Sequence, residues 1–178
     1  MSTVMTSKLI IGATLLLFST SSYADITYQS LGQAATDLSK QAEWNLTISP
    51  DGDNLPTGNG NATQGAKIFA LQCAACHGPE GIGGSADPVV GEVGSLASEY
   101  PEKTVNSYWP YATTLFDYIR RAMPIDRPFS LSADQVYALS AYILSQDGII
   151  ETNLDLTEKN LPQVKMPNRD GFIAIHPD

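Results

Sequence analysis

Two cysteines, Cys73 and Cys76, are all that the 178 residues contain. A small exported domain stapled by disulfides has more of them at wider spacings, so a disulfide framework is excluded. Histidine is equally scarce: only His77 and His176 are present, and no second Cys/His pair completes a structural zinc site. Basic residues number 10 against 19 acidic ones, a net charge of −9. That sign argues against nucleic acid and anionic membrane as partners and suits a docking partner with a basic face. The same charge also serves mere solubility, and charge alone does not separate the two. Long apolar runs are missing too, since the stretch from Leu9 to Phe18 is too short to cross a bilayer.

That short stretch has another use. Lys8 precedes it, and small residues at Ser22 and Ala24 follow it, the three parts of a secretory signal peptide. Residues 1–24 are therefore expected to be a signal peptide cleaved after Ala24, with a retained membrane anchor as the competing reading. Cleavage removes one Lys and no acid, so the mature chain from Asp25 carries −10 and is expected in the periplasm.

The length suits one domain. Residues 25–60 read as an N-terminal arm with a short helix around Leu31 to Ala42. The arm closes in Ser49-Pro-Asp-Gly-Asp-Asn-Leu-Pro-Thr-Gly-Asn-Gly60, too dense in turn formers for a helix or strand ladder. Residues 61–147 read as the domain proper. Gly65, Phe69 and Cys73 recur at helical spacing and predict a helix over roughly 62–73; Leu115, Ile119 and Ala122 predict another over 113–122. Between them Gly78 to Gly94 is loop, and Pro124 and Pro128 interrupt the chain after the second helix. Ser132-Ala-Asp-Gln135 is a capping box opening Val136 to Leu144, with Val136, Leu139 and Ile143 as its core stripe and Gly148 as its stop. Residues 148–178 have no sustained period and are expected to lie over the domain as a C-terminal extension. Nothing reads as a strand, so the fold class is all-α.

Cys73-Ala-Ala-Cys76-His77 is the attachment pattern of a covalently bound haem c. Two thiols three residues apart at a helix end reach the two vinyl groups of one porphyrin, and the next side chain, His77, falls beneath the ring as an iron ligand. A thioredoxin-like redox pair would need a βαβ context, which is absent. One motif predicts one haem. The sixth ligand must come from elsewhere, and Met1 and Met5 leave with the signal peptide. Met123, between two helices and stiffened by Pro124, is favoured over Met166, whose other reading is packing on the haem edge; His176 near the terminus is third. His77 and Met123 as axial pair fill both sides of the iron and raise its reduction potential relative to two nitrogen ligands. Tyr108, Trp109, Tyr111, Arg120 and Arg121 are candidates for the propionates, each with an equal reading as core aromatic or solvated arginine.

At these residues the chain resembles a class I cytochrome c. In that family an N-terminal helix crosses a C-terminal helix at right angles; Gly65 and Phe69 match the first helix's contact residues, Leu139 and Tyr142 the second's. A narrower resemblance covers most of the mature chain. Trp44 to Gly60, Ser107-Tyr-Trp-Pro-Tyr-Ala112 through Arg120-Arg-Ala-Met-Pro124, and Met166-Pro-Asn-Arg-Asp-Gly-Phe172 are similar to the cytochrome subunits of the SoxD and SorB type. The likeness implies an electron-transfer subunit, not an enzyme in itself, that accepts electrons from a molybdenum sulfite or sulfur dehydrogenase and passes them to a downstream cytochrome. It supports Cys73, Cys76, His77 and Met123 as haem residues and implies that residues 44–60 and 149–172 wrap the domain or meet the partner. SoxD-type chains can be longer and carry two haems, so the single motif here stands nearer the short SorB type. Two alternatives remain at this point: a freely diffusing shuttle to a respiratory complex, and a haem enzyme such as a peroxidase, which needs an open axial position.

Overall fold

Asn61 and Gln64 start the first helix, the side chain of each satisfying the other's orphaned amide. In the computed structural model, which describes residues 47–173 and 175, the Gln64 amide donates to Asn61 Oδ1 at 3.1 Å and the Asn61 amide to Gln64 Oε1 at 3.0 Å. Helix α1 then runs Ala62–Gln72 and buries Ala62, Gly65 and Phe69. A single turn, α2 (Ala74–His77), follows directly. The loop beyond contains a 3₁₀ turn at Ser95–Ala97 and ends at Thr104, whose hydroxyl caps α3 (Val105–Tyr108). Helix α4 spans Ala112–Ala122 and α5 spans Ala133–Gln146. Ser132 and Gln135 cap α5 reciprocally, and Gly148, at φ +69°, turns the chain away after it. The signal peptide, the helix around 31–42 and Trp44 lie outside the described residues, as does His176.

The long helices fall where the periodicity and the capping box put them. Two elements do not. Helix α3 is a single turn, too short for a hydrophobic period to register. Residues Asn59–Gly60 (β1) pair antiparallel with Leu156–Thr157 (β2), Gly60 opposite Leu156. This is a two-residue ladder joining segments nearly a hundred positions apart, and alternation needs a longer run to be seen. Among the described residues the remaining regular elements are helices.

Helix α5 is the centre of the packing. Nine of its fourteen residues, from Val136 to Ser145, are buried. Helix α1 crosses it at Gly65, where a Cβ would run into the Ala138 carbonyl and come within 2.7 Å of the Tyr142 Cβ. Only a hydrogen at that position lets the backbones meet. One turn on, the Phe69 and Tyr142 rings pack with centroids 5.1 Å apart. On another side of α5, Tyr137 packs on Phe116 of α4 at 4.4 Å. Asn106 of α3 donates to the Ile143 carbonyl at 2.9 Å and to Asp147 Oδ2 at 2.6 Å, tying α3 to the end of α5.

The segments flanking the helices enter this core. Ile48 comes from before α1; Leu156, Leu161 and Met166 come from after α5, and all four belong to the same buried cluster. Full burial of one such side chain stabilises by about 1.5–3 kcal/mol, so the C-terminal extension is part of the domain's stability. The Tyr137 hydroxyl donates to the Pro56 carbonyl at 2.8 Å, and the Asn59 amide to Asp134 Oδ1 at 2.8 Å. These bonds hold the residues before α1 along α5.

Candidate haem site

Cys73 sits at the break between two helices. Its amide still donates to Phe69 at the end of α1, while its own carbonyl accepts from Cys76 at 3.1 Å and from His77 at 3.0 Å. One tight turn therefore carries both thiols and the imidazole, with Cys73 half-buried and Cys76 exposed. Burial, and then the neighbouring Cys76, push the Cys73 thiol up to about 11. A dithiol redox catalyst needs the opposite shift, a thiolate stabilised near neutral pH, and burial drives Cys73 the other way. Among the described residues no three His, Cys, Asp or Glu side chains converge as a metal-holding group, which leaves the zinc alternative without donors there.

The loop after His77 orients the imidazole. Gly78, at φ +84°, turns the chain back, and Gly84 passes so close to the Cys76 carbonyl that no Cβ fits. The Ala86 amide then donates to that same Cys76 carbonyl at 2.9 Å. This return brings the Asp87 carbonyl to 2.9 Å from His77 Nδ1. A carbonyl only accepts, so Nδ1 carries the proton and Nε2 keeps its lone pair for a metal. The same hydrogen bond fixes the ring plane, the usual outer-shell device behind a ligating histidine. Nothing in the sequence marks Asp87, since its contribution is a backbone carbonyl placed by two glycines.

Met123 and Met166 are separated by their surroundings. Met123 follows α4 directly, its amide donating to the Ile119 carbonyl at 3.0 Å, and its side chain is only partly buried against the core. Met166 is 3% exposed, enclosed by protein side chains. The thiols, His77 and Asp87 lie together on one turn and its return loop; Met123 comes from the far end of α4, and Met166 serves as core. Two thiols, an imidazole with a free Nε2 and a half-exposed thioether on a separate element form a donor set that fits a haem held by thioether bonds.

The five propionate candidates have protein partners in part. Arg121 forms an ion pair with Asp117, one turn earlier on α4. The Trp109 ring stands edge-on to Tyr118 at 5.6 Å, Tyr108 edge-on to Phe172 at 5.3 Å, and the Arg169 guanidinium lies 4.6 Å over Tyr111. Arg120 is half-buried and forms no ion pair among the described residues.

Helices crossed at a glycine, with a two-thiol turn opening onto a fixed imidazole, define the class of small helical electron carriers that hold haem covalently. The cytochrome c family profile matches residues 62–147. Among solved structures, a chain of the sulfane dehydrogenase SoxCD from Paracoccus pantotrophus is similar at 39% identity and a TM-score of 0.71, over 83% of this chain and 71% of that one. The chain belongs to the cytochrome c family: it is a class I c-type cytochrome that binds haem c covalently and carries electrons. No curated protein sequence matches it at a significant level.

Proposed function

We propose that this protein is the periplasmic electron-accepting cytochrome of a molybdenum sulfite or sulfur dehydrogenase, handing single electrons on to a further cytochrome. The observation that carries the reading is the reach of the likeness to the SoxCD chain. The cytochrome profile accounts for fewer than half of the residues, 62–147, whereas that likeness spans 83% of the chain. It therefore includes segments outside the domain that all such cytochromes share.

In this reading Cys73 and Cys76 would hold the porphyrin through thioethers, and His77 Nε2 and the Met123 thioether would bind the iron. When bound, the haem would supply one-electron chemistry. The chain's own residues do the rest: the Asp87 carbonyl holds the His77 proton at Nδ1 and fixes the imidazole, and α4 delivers Met123. With His77 and Met123 both on the iron, oxygen and small substrates would find no open site, and the protein would transfer electrons without acting as a haem enzyme.

Mixing the purified cytochrome with such a dehydrogenase and sulfite or a sulfane-sulfur substrate should reduce the haem at the enzyme's turnover rate. Failure to accelerate reduction with either substrate, together with failure to co-purify, removes the partner assignment and leaves the family assignment standing. Loss of the complex at moderate salt would favour a diffusing shuttle, because exposed ion pairs are screened within about 8–10 Å there.

The two methionines give a paired prediction. Met123→Ala should abolish the weak far-red sulfur-to-iron band. Met166→Ala should keep that band while lowering stability by about 2–5 kcal/mol, as large-to-small core substitutions do. Absorption spectra and thermal unfolding of both variants check this, and a band lost on the second replacement instead would reverse the assignment.

A further inference from the structure

The C-terminal segment after Met166 grips one short stretch of chain in three ways. Asn168 Nδ2 donates to the Tyr108 carbonyl at 2.7 Å. The Arg169 guanidinium covers the Tyr111 ring at 4.6 Å, and Phe172 stands edge-on to Tyr108 at 5.3 Å. All three contacts fall on Tyr108–Tyr111, the link between α3 and α4. The hydrogen bond has a clear physical purpose: Tyr108 ends α3, and the last carbonyls of a helix have no partner within it. Tyr111 precedes α4 without a side-chain cap, so the start of that helix also depends on support from outside.

The grip is itself built for one geometry. Met166, buried in the core, anchors the segment. From there the Arg169 amide donates to the Met166 carbonyl at 3.1 Å, and the Gly171 amide to the Asn168 carbonyl at 3.2 Å. Gly171 lies so close to the Asn168 side-chain oxygen that a Cβ there would collide with it. The turn thus closes around Asn168 and aims its amide nitrogen at Tyr108.

We infer that residues Met166–Phe172 form a clasp on the link Tyr108–Tyr111, that Asn168 is its positioning residue, and that through this link the clasp sets where α4 delivers Met123 to the haem. A helix of eleven residues moves as a rod, so freedom at its first residue becomes displacement at its last. Trp109, inside the link and packed on Tyr118 of α4, couples the two. The last step rests on Met123 as sixth ligand; the grip on the link does not.

Two variants of the haem-loaded protein test it. Asn168→Asp keeps the shape but removes the donor, and Gly171→Ala displaces Asn168 without altering it. Met166 stays in the core in both. Chymotrypsin should cut after Tyr108 and Tyr111 about tenfold faster in each, the factor that loss of one hydrogen bond corresponds to. The sulfur-to-iron band should then disappear at a lower denaturant concentration than the helical circular dichroism, whereas in the unaltered protein the two vanish together. Unchanged cleavage overturns the clasp. Faster cleavage with band and helix still lost together, whatever the midpoint, confines the segment to general stability and overturns the coupling. If Met123→Ala keeps its band, the ligand assignment has failed instead, and the cleavage assay still decides the clasp.

Discussion

Replacing His77 by Ala is expected to remove nearly all of the mature, low-spin haem protein. The two thiols remain, but the iron loses the only imidazole among the described residues that is aimed and protonated for it. Disturbing a mere outer-shell partner of a metal ligand costs roughly 10–100-fold in metal affinity or activity, and on the proposed assignment the ligand itself goes. Whatever haem is still attached through Cys73 and Cys76 should be high-spin and bind carbon monoxide at once, because one axial side is open. Haem staining and visible spectra of the purified variant measure both effects. A six-coordinate, low-spin spectrum in the variant would falsify His77 as the proximal ligand. The outer-shell bond offers a graded companion, since its acceptor is a backbone carbonyl. Gly84→Ala, which pushes the return loop off the Cys76 carbonyl, should loosen the Asp87 contact and lower the yield of holoprotein while leaving every ligand in place.

Gly65→Val is expected to be the most damaging change to the fold. Its added carbons would meet the backbone carbonyl of Ala138, which has no rotamer to escape into. Overpacking that side chains can absorb costs about 1–3 kcal/mol; here the helices themselves must separate, opening the Phe69–Tyr142 contact and the nearby Cys73 turn. Against a total stability of roughly 5–15 kcal/mol for a domain of this kind, the variant should be largely unfolded at ambient temperature and carry little haem. Ala70→Val, on the exposed side of the same helix, controls for β-branching and should cost less than about 0.7 kcal/mol. Thermal unfolding of the pair reads the difference. Equal midpoints would mean that α1 and α5 do not cross as tightly as the glycine implies.

The sequence alone determined whatever depends on residues within a few positions of one another. The capping pair Ser132 and Gln135, the helical spacing of Gly65 and Phe69, the stop at Gly148 and the five-residue attachment motif all act through one or two helical turns, so their meaning is written locally. The family followed from the same short-range signals. Tertiary structure alone decided matters that join distant segments: the pairing of Gly60 with Leu156, the hydrogen bond from His77 to the Asp87 carbonyl, and the hold of Asn168 on Tyr108. It also separated two chemically identical thioethers. Met166 is enclosed by side chains from the rest of the chain, and Met123 is left half open at the end of α4. Position in the sequence, between two helices and before Pro124, already favoured Met123 over Met166 as the ligand; how deeply each is buried shows only in the fold, because burial is a property of what folds over a side chain.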